Sequence, residues 1–205
     1  MNSVLILDPQ TVQNFVSTRE VSGIDRFDEV WDGRLVVPAA PNNDHARLVS
    51  RLNSALNAVI DWDRGDQCFP NANVSDRDVD WAENFRVPDV LVYLAGNPAK
   101  DRGTHWIGGP DFVIEILSPG EKPDDKFEFY AKINTGEVLI VDRSPWSLEL
   151  FRLMEGQLVS TGKTDLVNSA GISSASLPLS FRLIPGKPRP LIELIHSENR
   201  QRWVM

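Results

Sequence analysis

Apolar positions recur along this chain with two periods, and the switch between them marks out the elements. Over residues 45–60 the apolar Leu48, Val49, Leu52, Leu56, Val59 and Ile60 keep a helical spacing, with Arg47, Arg51 and Ser54 on the other side. Asn42, Asn43 or Asp44 stands where that helix wants a cap. Residues 30–37 read as a hairpin turning at Asp32-Gly33, a strong two-residue turn signal. Strands are expected over 86–94, 111–118, 137–142 and 148–153; the middle two are nearly continuously apolar, as strands buried on both faces are. Pro123 suits the first turn of a second helix over 124–133, and residues 157–160 suggest a hairpin with the strand before them. A short helix is expected over 9–20, with Val12, Phe15 and Val16 apolar. The polar stretches 61–84 and 97–109 read as loops, the first with one short strand, and 191–195 with 202–204 as an edge strand or contact surface. The sum is an α/β or α+β domain, a mixed sheet with a helix on each side.

Composition narrows this picture without redrawing it. At 205 residues, 41% hydrophobic and 24% charged, one soluble globular domain with a real core is expected. Cys68 is the one cysteine, which rules out an internal disulfide; with three scattered histidines, it argues against structural zinc. No apolar run approaches a membrane span. The start of the chain has no basic region and Asp8-Pro9 ends its apolar stretch, so no signal peptide is expected and the cytoplasm is the default compartment. A net charge of −8 argues against nonspecific nucleic-acid binding as the main task, although residues 182–205 carry five basic and two acidic residues.

Two acids interrupt apolar runs, and they carry the candidate chemistry. Asp89 follows Val87-Pro88, and Glu115 sits within Phe112-Val113-Ile114-Glu115-Ile116-Leu117. A buried carboxylate is costly unless it is paired or holds a metal. Strand alternation puts Val113, Glu115 and Leu117 on one face, opposite Phe112, Ile114 and Ile116. Lys126 follows close by. Two carboxylates and a lysine are the minimal set for magnesium-assisted phosphodiester cleavage. The acids hold a hard cation that activates water, and the ammonium steadies developing negative charge. Each residue also has an ordinary explanation: a strand cap for Asp89, a buried ion pair for Glu115, a solvated helix position for Lys126.

In this order the segments resemble the PD-(D/E)XK nuclease superfamily and, within it, the putative restriction endonuclease family of bacterial proteins, long catalogued as a domain of unknown function. The resemblance rests on Glu29-Val30-Trp31-Asp32-Gly33-Arg34-Leu35, His45, Val87-Pro88-Asp89, Glu115-Ile116-Leu117-Ser118-Pro119, Lys126 with Tyr130, and Val141-Asp142, from about residue 27 to about residue 183. It implies a restriction-endonuclease-like fold over 27–185, with an N-terminal extension (1–26) and a C-terminal tail (186–205) packed on the domain or at an interface. It also implies Mg2+ or Mn2+ held by Asp89, Glu115 and the backbone carbonyl of Ile116, with DNA as substrate. The superfamily's commonest lysine position, two residues after the Glu, is here Leu117. Lys126 on the next helix matches the family's displaced lysine. Glu29, His45 and Tyr130 stand where supporting residues are expected, the first two as possible neighbours of the metal site. Asn134 replaces a usual Gly after the second helix, a change the left-handed backbone there tolerates.

A homodimer is expected because the apolar tail and Arg202-Trp203-Val204 offer interface anchors, and nucleases that cut duplex DNA often pair two sites. The rival reading is a nuclease fold kept as a nucleic-acid-binding or protein-interaction module with little catalysis. A hydrolase of smaller phosphate esters would use the same ions.

Overall fold

The structure, a computed structural model, describes residues 14, 17, 18, 21, 23, 25–38, 41–118 and 120–205. The helix expected over 9–20 lies mostly outside the described residues, and its apolar positions Val12, Phe15 and Val16 lie wholly outside them. A small sheet is built from β1 (Glu29–Trp31), β2 (Arg34–Val36), β4 (Val74–Ser75), β5 (Phe85–Arg86), β7 (Lys100–Asp101) and β8 (Trp106–Ile107). The central sheet takes β3 (Gln67–Pro70), β6 (Val90–Tyr93), β9 (Phe112–Ile116), β10 (Glu137–Arg143), β11 (Trp146–Met154) and β12 (Gln157–Thr164). A C-terminal sheet takes β13 (Ile172–Ser173), β14 (Leu179–Ile184), β15 (Leu191–His196) and β16 (Arg202–Val204). The helices are α1 (Asn43–Asn57) and the short α2 (Phe127–Lys132), which continues a 3₁₀ turn at Pro123–Lys126.

The central sheet runs in the order β12-β11-β10-β9-β6-β3 and is antiparallel except where β9 lies parallel to β10, with α2 as the crossover between them. Each face has its own apolar layer. Val90, Val92, Phe112, Ile114, Ile116, Leu139 and Val141 pack under α1 and the C-terminal sheet. Leu91, Tyr93, Val113, Leu117, Val138 and Ile140 pack under α2 and, from the small sheet, Val74 and Trp106. The mixed sheet with a helix on each side is therefore present, but the two extra sheets supply much of the cover. Their strands are two to six residues long. Runs that brief show too little alternation to be seen in a sequence.

Local chemistry sets the boundaries. Asn42 caps α1 by accepting from the His45 backbone N–H, and Leu48, Val49, Leu52, Ala55 and Leu56 form its buried stripe. Asp32 and Gly33 both have positive φ, as the expected two-residue hairpin requires. Asn134 closes α2 at φ 62°. The single strand expected over 86–94 is broken. Arg86 belongs to the small sheet and Val90 to the central one, and Val87-Pro88-Asp89 crosses between them. Pro88 has no N–H to give a ladder, and the Val87 N–H goes to Glu29 Oε1 at 2.9 Å.

Residues 186–205 contribute β15 and β16 to the C-terminal sheet. Ile192 and Leu194 are buried there, Trp203 packs against the core, and Arg202 pairs with Glu193. Of the anchors on which the dimer expectation rested, Trp203 packs inside the chain, whereas Arg202 and Val204 stay exposed. Buried Glu137 ties this sheet to the central one: its carboxylate accepts from Arg152, the Ser174 hydroxyl and the backbone N–H groups of Ala175 and Ser176.

Candidate active site

The crossing at Val87-Pro88-Asp89 opens one end of the central sheet. Antiparallel register pairs Val90 with Ile114, which sets Ile116 opposite Pro88. The Ile116 N–H donates to Asp89 Oδ2 at 2.7 Å. Pro88 cannot return a bond, so the Ile116 carbonyl receives none from that ladder position. Asp89 Oδ1 lies 2.7 Å from His45 Nε2, at the capped start of α1. An ionised carboxylate only accepts, so Nε2 carries the hydrogen. The other ring nitrogen, Nδ1, is buried without a hydrogen-bond partner among the described residues.

Glu115 lies on the opposite side of β9 from Ile114 and Ile116, facing α2. It is 7 % exposed. Its Oε1 accepts from Lys126 Nζ at 3.0 Å and from the Tyr130 hydroxyl. Lys126 and Tyr130 stand four residues apart, so one face of the turn and helix delivers both donors. Lys126 Nζ also donates to Glu29 Oε1 at 2.9 Å, and Glu29 Oε2 accepts from the Trp31 indole at 2.8 Å. Glu29 thus joins the small sheet to the site through Val87, Lys126 and Trp31. Leu117, where the superfamily commonly places lysine, is buried in the apolar layer beneath α2.

Arg86 is a site neighbour that the sequence pattern did not single out. It is 4 % exposed and packs its guanidinium 4.6 Å from the Trp31 ring and 4.3 Å from the Phe129 ring. Its Nη1 donates to the Val30 and Phe85 carbonyls and to Asn84 Oδ1. Burial lowers its pKa, opposed first by Glu29. The usable signal was a charge inside the apolar run Phe85-Arg86-Val87, the same signal that marked Asp89.

Negative charge is in excess at this site. Glu29, Asp89 and Glu115 line one cavity of about 540 Å³ together with His45 and Lys126. Burial, then the neighbouring Asp89 and Glu29, push the Glu115 pKa from 4.5 up to about 8, with Lys126 and Tyr130 opposing. Burial would lower the Lys126 pKa, but Glu115, Glu29 and Glu121 more than offset it and hold the ammonium charged. Two glutamates share one lysine, so a proton or another cation on Glu115 relieves the excess.

The donors suit a hard divalent cation. Glu115 Oε2 accepts no hydrogen bond among the described residues, the Asp89 oxygens keep lone pairs beyond their single partners, and the Ile116 carbonyl lacks its ladder donor. All are oxygens, as Mg2+ and Mn2+ prefer. The structure therefore gathers Asp89, Glu115, Lys126, Glu29 and His45 around one cavity, with Tyr130 bonded to Glu115 and the Ile116 N–H to Asp89. Among the described residues no three His, Cys, Asp or Glu side chains close on a single metal position. Lys126 and Tyr130 draw Glu115 one way, while His45 and Ile116 fix Asp89 another. His105 does not line this cavity and is stacked on Trp81, and His196 accepts from the Glu198 and Asn199 backbone.

A solved structure from Anabaena variabilis ATCC 29413, described as "a putative nuclease belonging to DUF820", shares the fold: TM-score 0.58 at 18% identity, covering 73% of this chain and 82% of that one. Among curated proteins none matches the sequence. No helix among the described residues is long and apolar enough to cross a membrane. The family model Uma2, "Putative restriction endonuclease", matches residues 23–183, and the chain belongs to that family.

Proposed function

We propose that this chain is a divalent-metal-dependent nuclease hydrolysing DNA phosphodiester bonds at the cavity between Asp89, Glu115 and Lys126. One observation carries the reading. Lys126, on the turn before α2, reaches back to Glu115 on β9 inside the cavity that Asp89 also lines. A lysine displaced from the usual strand position thereby recovers its place beside the acid. The nuclease family and the nuclease-like neighbour support the same reaction class.

Asp89 and Glu115, with the Ile116 carbonyl, would hold Mg2+ or Mn2+, which supplies water activation and charge neutralisation at the phosphate when bound. His45 and the Ile116 N–H fix the Asp89 carboxylate so that its remaining lone pairs face one way. Tyr130 and Lys126 hold Glu115 Oε1, leaving Oε2 for the cavity. An ammonium has three N–H bonds; Glu29 and Glu115 take two, and the third serves a substrate oxygen as charge develops in the transition state. Glu29 keeps the ammonium in place rather than touching substrate.

The experiment is cleavage of DNA by the folded protein with magnesium or manganese, and with calcium as a cation that binds with looser geometry and turns over less. Glu115→Gln should abolish cleavage while the protein stays folded, and Lys126→Ala should lower the rate at least about tenfold with metal binding kept. A metal-loaded, folded wild type that cleaves neither DNA nor RNA would overturn the proposal, and nucleic-acid binding without turnover would assign the fold to a binding role.

A further inference from the structure

Four arginines gather around α1, the helix whose Ala46, Ser50 and Asn53 wall the cavity, on a chain whose net charge is −8. Arg47 and Arg51 lie one turn apart on the outer flank of α1, both exposed. Asp44 is the single acid of α1, and it pairs with Arg47 at 2.6 Å. Arg51 Nη1 reaches the Val204 carbonyl at 3.5 Å. Arg143 lies between this flank and the cavity rim. It donates to the Leu117 carbonyl at 3.1 Å and reaches Asn42 Oδ1, the cap of α1, at 3.5 Å. Arg189 sits 5.2 Å over the Trp146 ring and feels the charges of Arg47, Arg51 and Arg143 directly, with Asp44 opposing.

Three guanidinium groups bear on Arg189, and Asp44 is the carboxylate that opposes them there. The fold gives Arg143 and Arg189 structural partners, but the Arg47 and Arg51 side chains stand on a flank that needs no charge for packing. The same helix contributes His45 at its first turn to the Asp89 contact, so the positive flank leads away from the site itself. Guanidinium groups one helical turn apart share one face of the helix, and each favours bidentate phosphate contact.

We propose that Arg47, Arg51, Arg143 and Arg189 form a track for the phosphodiester backbone of duplex DNA that guides the strand into the cavity. The inference rests on the nuclease reading for the identity of the polyanion. It concerns a surface outside the catalytic residues, and it reconciles an acidic protein with a polyanionic substrate.

The test uses the full chain as Arg47→Gln/Arg51→Gln, two exposed positions that leave the core untouched. Lys100→Gln/Lys163→Gln is the control with the same change in charge, both sites lying away from α1. Affinity for a short DNA duplex is measured with calcium present across a range of salt. The arginine pair should weaken binding at least about tenfold at low salt and lower the slope of log K against log salt by about 2, because each lost phosphate contact removes roughly 0.9. In magnesium its KM should rise with kcat kept. Unchanged affinity and slope, or an equal loss in the lysine control, would overturn the track. A wild type that binds through these arginines yet never cleaves would leave the track standing and sink the nuclease reading. Cleavage with binding indifferent to the arginines would do the reverse.

Discussion

Replacing Glu115 by Gln should change how stability depends on pH more than it changes stability itself. Burial is the largest influence on Glu115 and lifts its pKa from 4.5 to about 8, with Lys126 opposing and Asp89 and Glu29 adding to the rise. Near neutral pH the folded protein therefore keeps a proton that the unfolded chain has released. When the folded state binds the extra proton, stability falls as pH rises, by about 1.4 kcal/mol per pH unit for one proton. The contribution is complete below 4.5 and gone once pH has passed about 8. Over that interval it sums to a few kcal/mol, a large share of the roughly 5–15 kcal/mol that holds a typical domain together. Gln cannot titrate, yet its Oε1 accepts from Lys126 and Tyr130 as the carboxyl does. Wild type and variant should thus unfold at similar denaturant concentrations near about pH 4.5 and diverge by about pH 8.5, the variant being the more stable. Chemical denaturation in the presence of a chelator, at several pH values across this range, reads the difference. A gap that stays constant with pH, or a variant that falls behind as pH rises, would refute the claim that burial and neighbouring carboxylates outweigh Lys126.

Glu137 should give the opposite dependence at lower pH. Burial pushes its pKa up, but hydrogen bonds from Ser174, Ala175, Ser176 and Arg152 outweigh that and hold it below 4.5, so its stabilisation is present above that value and lost as pH falls. Glu137→Ala should cost roughly 3 kcal/mol or more at neutral pH, seen as a lower denaturation midpoint, and flatten the acid limb. Asn134→Ala should cost about 1 kcal/mol because φ is 62° there, whereas Asn134→Gly should match wild type or exceed it; thermal unfolding separates the two. The Cys68 thiol, pushed up to about 12 by burial, should resist disulfide reagents in the native protein and react on unfolding, which a thiol titration checks.

The central sheet and α1 were legible because their apolar runs are long enough to show a period. Glu115 was legible because a charge at one position of an apolar strand has few physical excuses. The break at Pro88 was not, since apolar residues continue on both sides of it and the step between sheets depends on Glu29, 58 residues earlier, accepting the Val87 N–H. The partnership of Lys126 with Glu29 was hidden for the same reason: neither residue's neighbours in sequence reveal the other. Arg86 was hidden because a charge at the first position of a strand is ordinary, and its ring partners Trp31 and Phe129 are distant in sequence. The tail strands were visible as apolar stretches, but only the registers of β14 with β15 and β15 with β16 show that they extend one sheet.

Asp89 answers to two demands at once. It accepts the Ile116 N–H at the very point where Pro88 ends the exchange of ladder bonds, and a buried N–H left unpaired there would cost about 1–3 kcal/mol. A relative that abandoned catalysis would therefore shed Glu115 or Lys126 long before Asp89, because the join between its sheets still needs that carboxylate. Persistence of Asp89 across descendants is poor testimony to a working enzyme. The informative pair is Glu115 with Lys126, which meet in the cavity and take no part in the join at Pro88. A lineage that keeps the aspartate and loses that pair has kept the architecture and retired the chemistry.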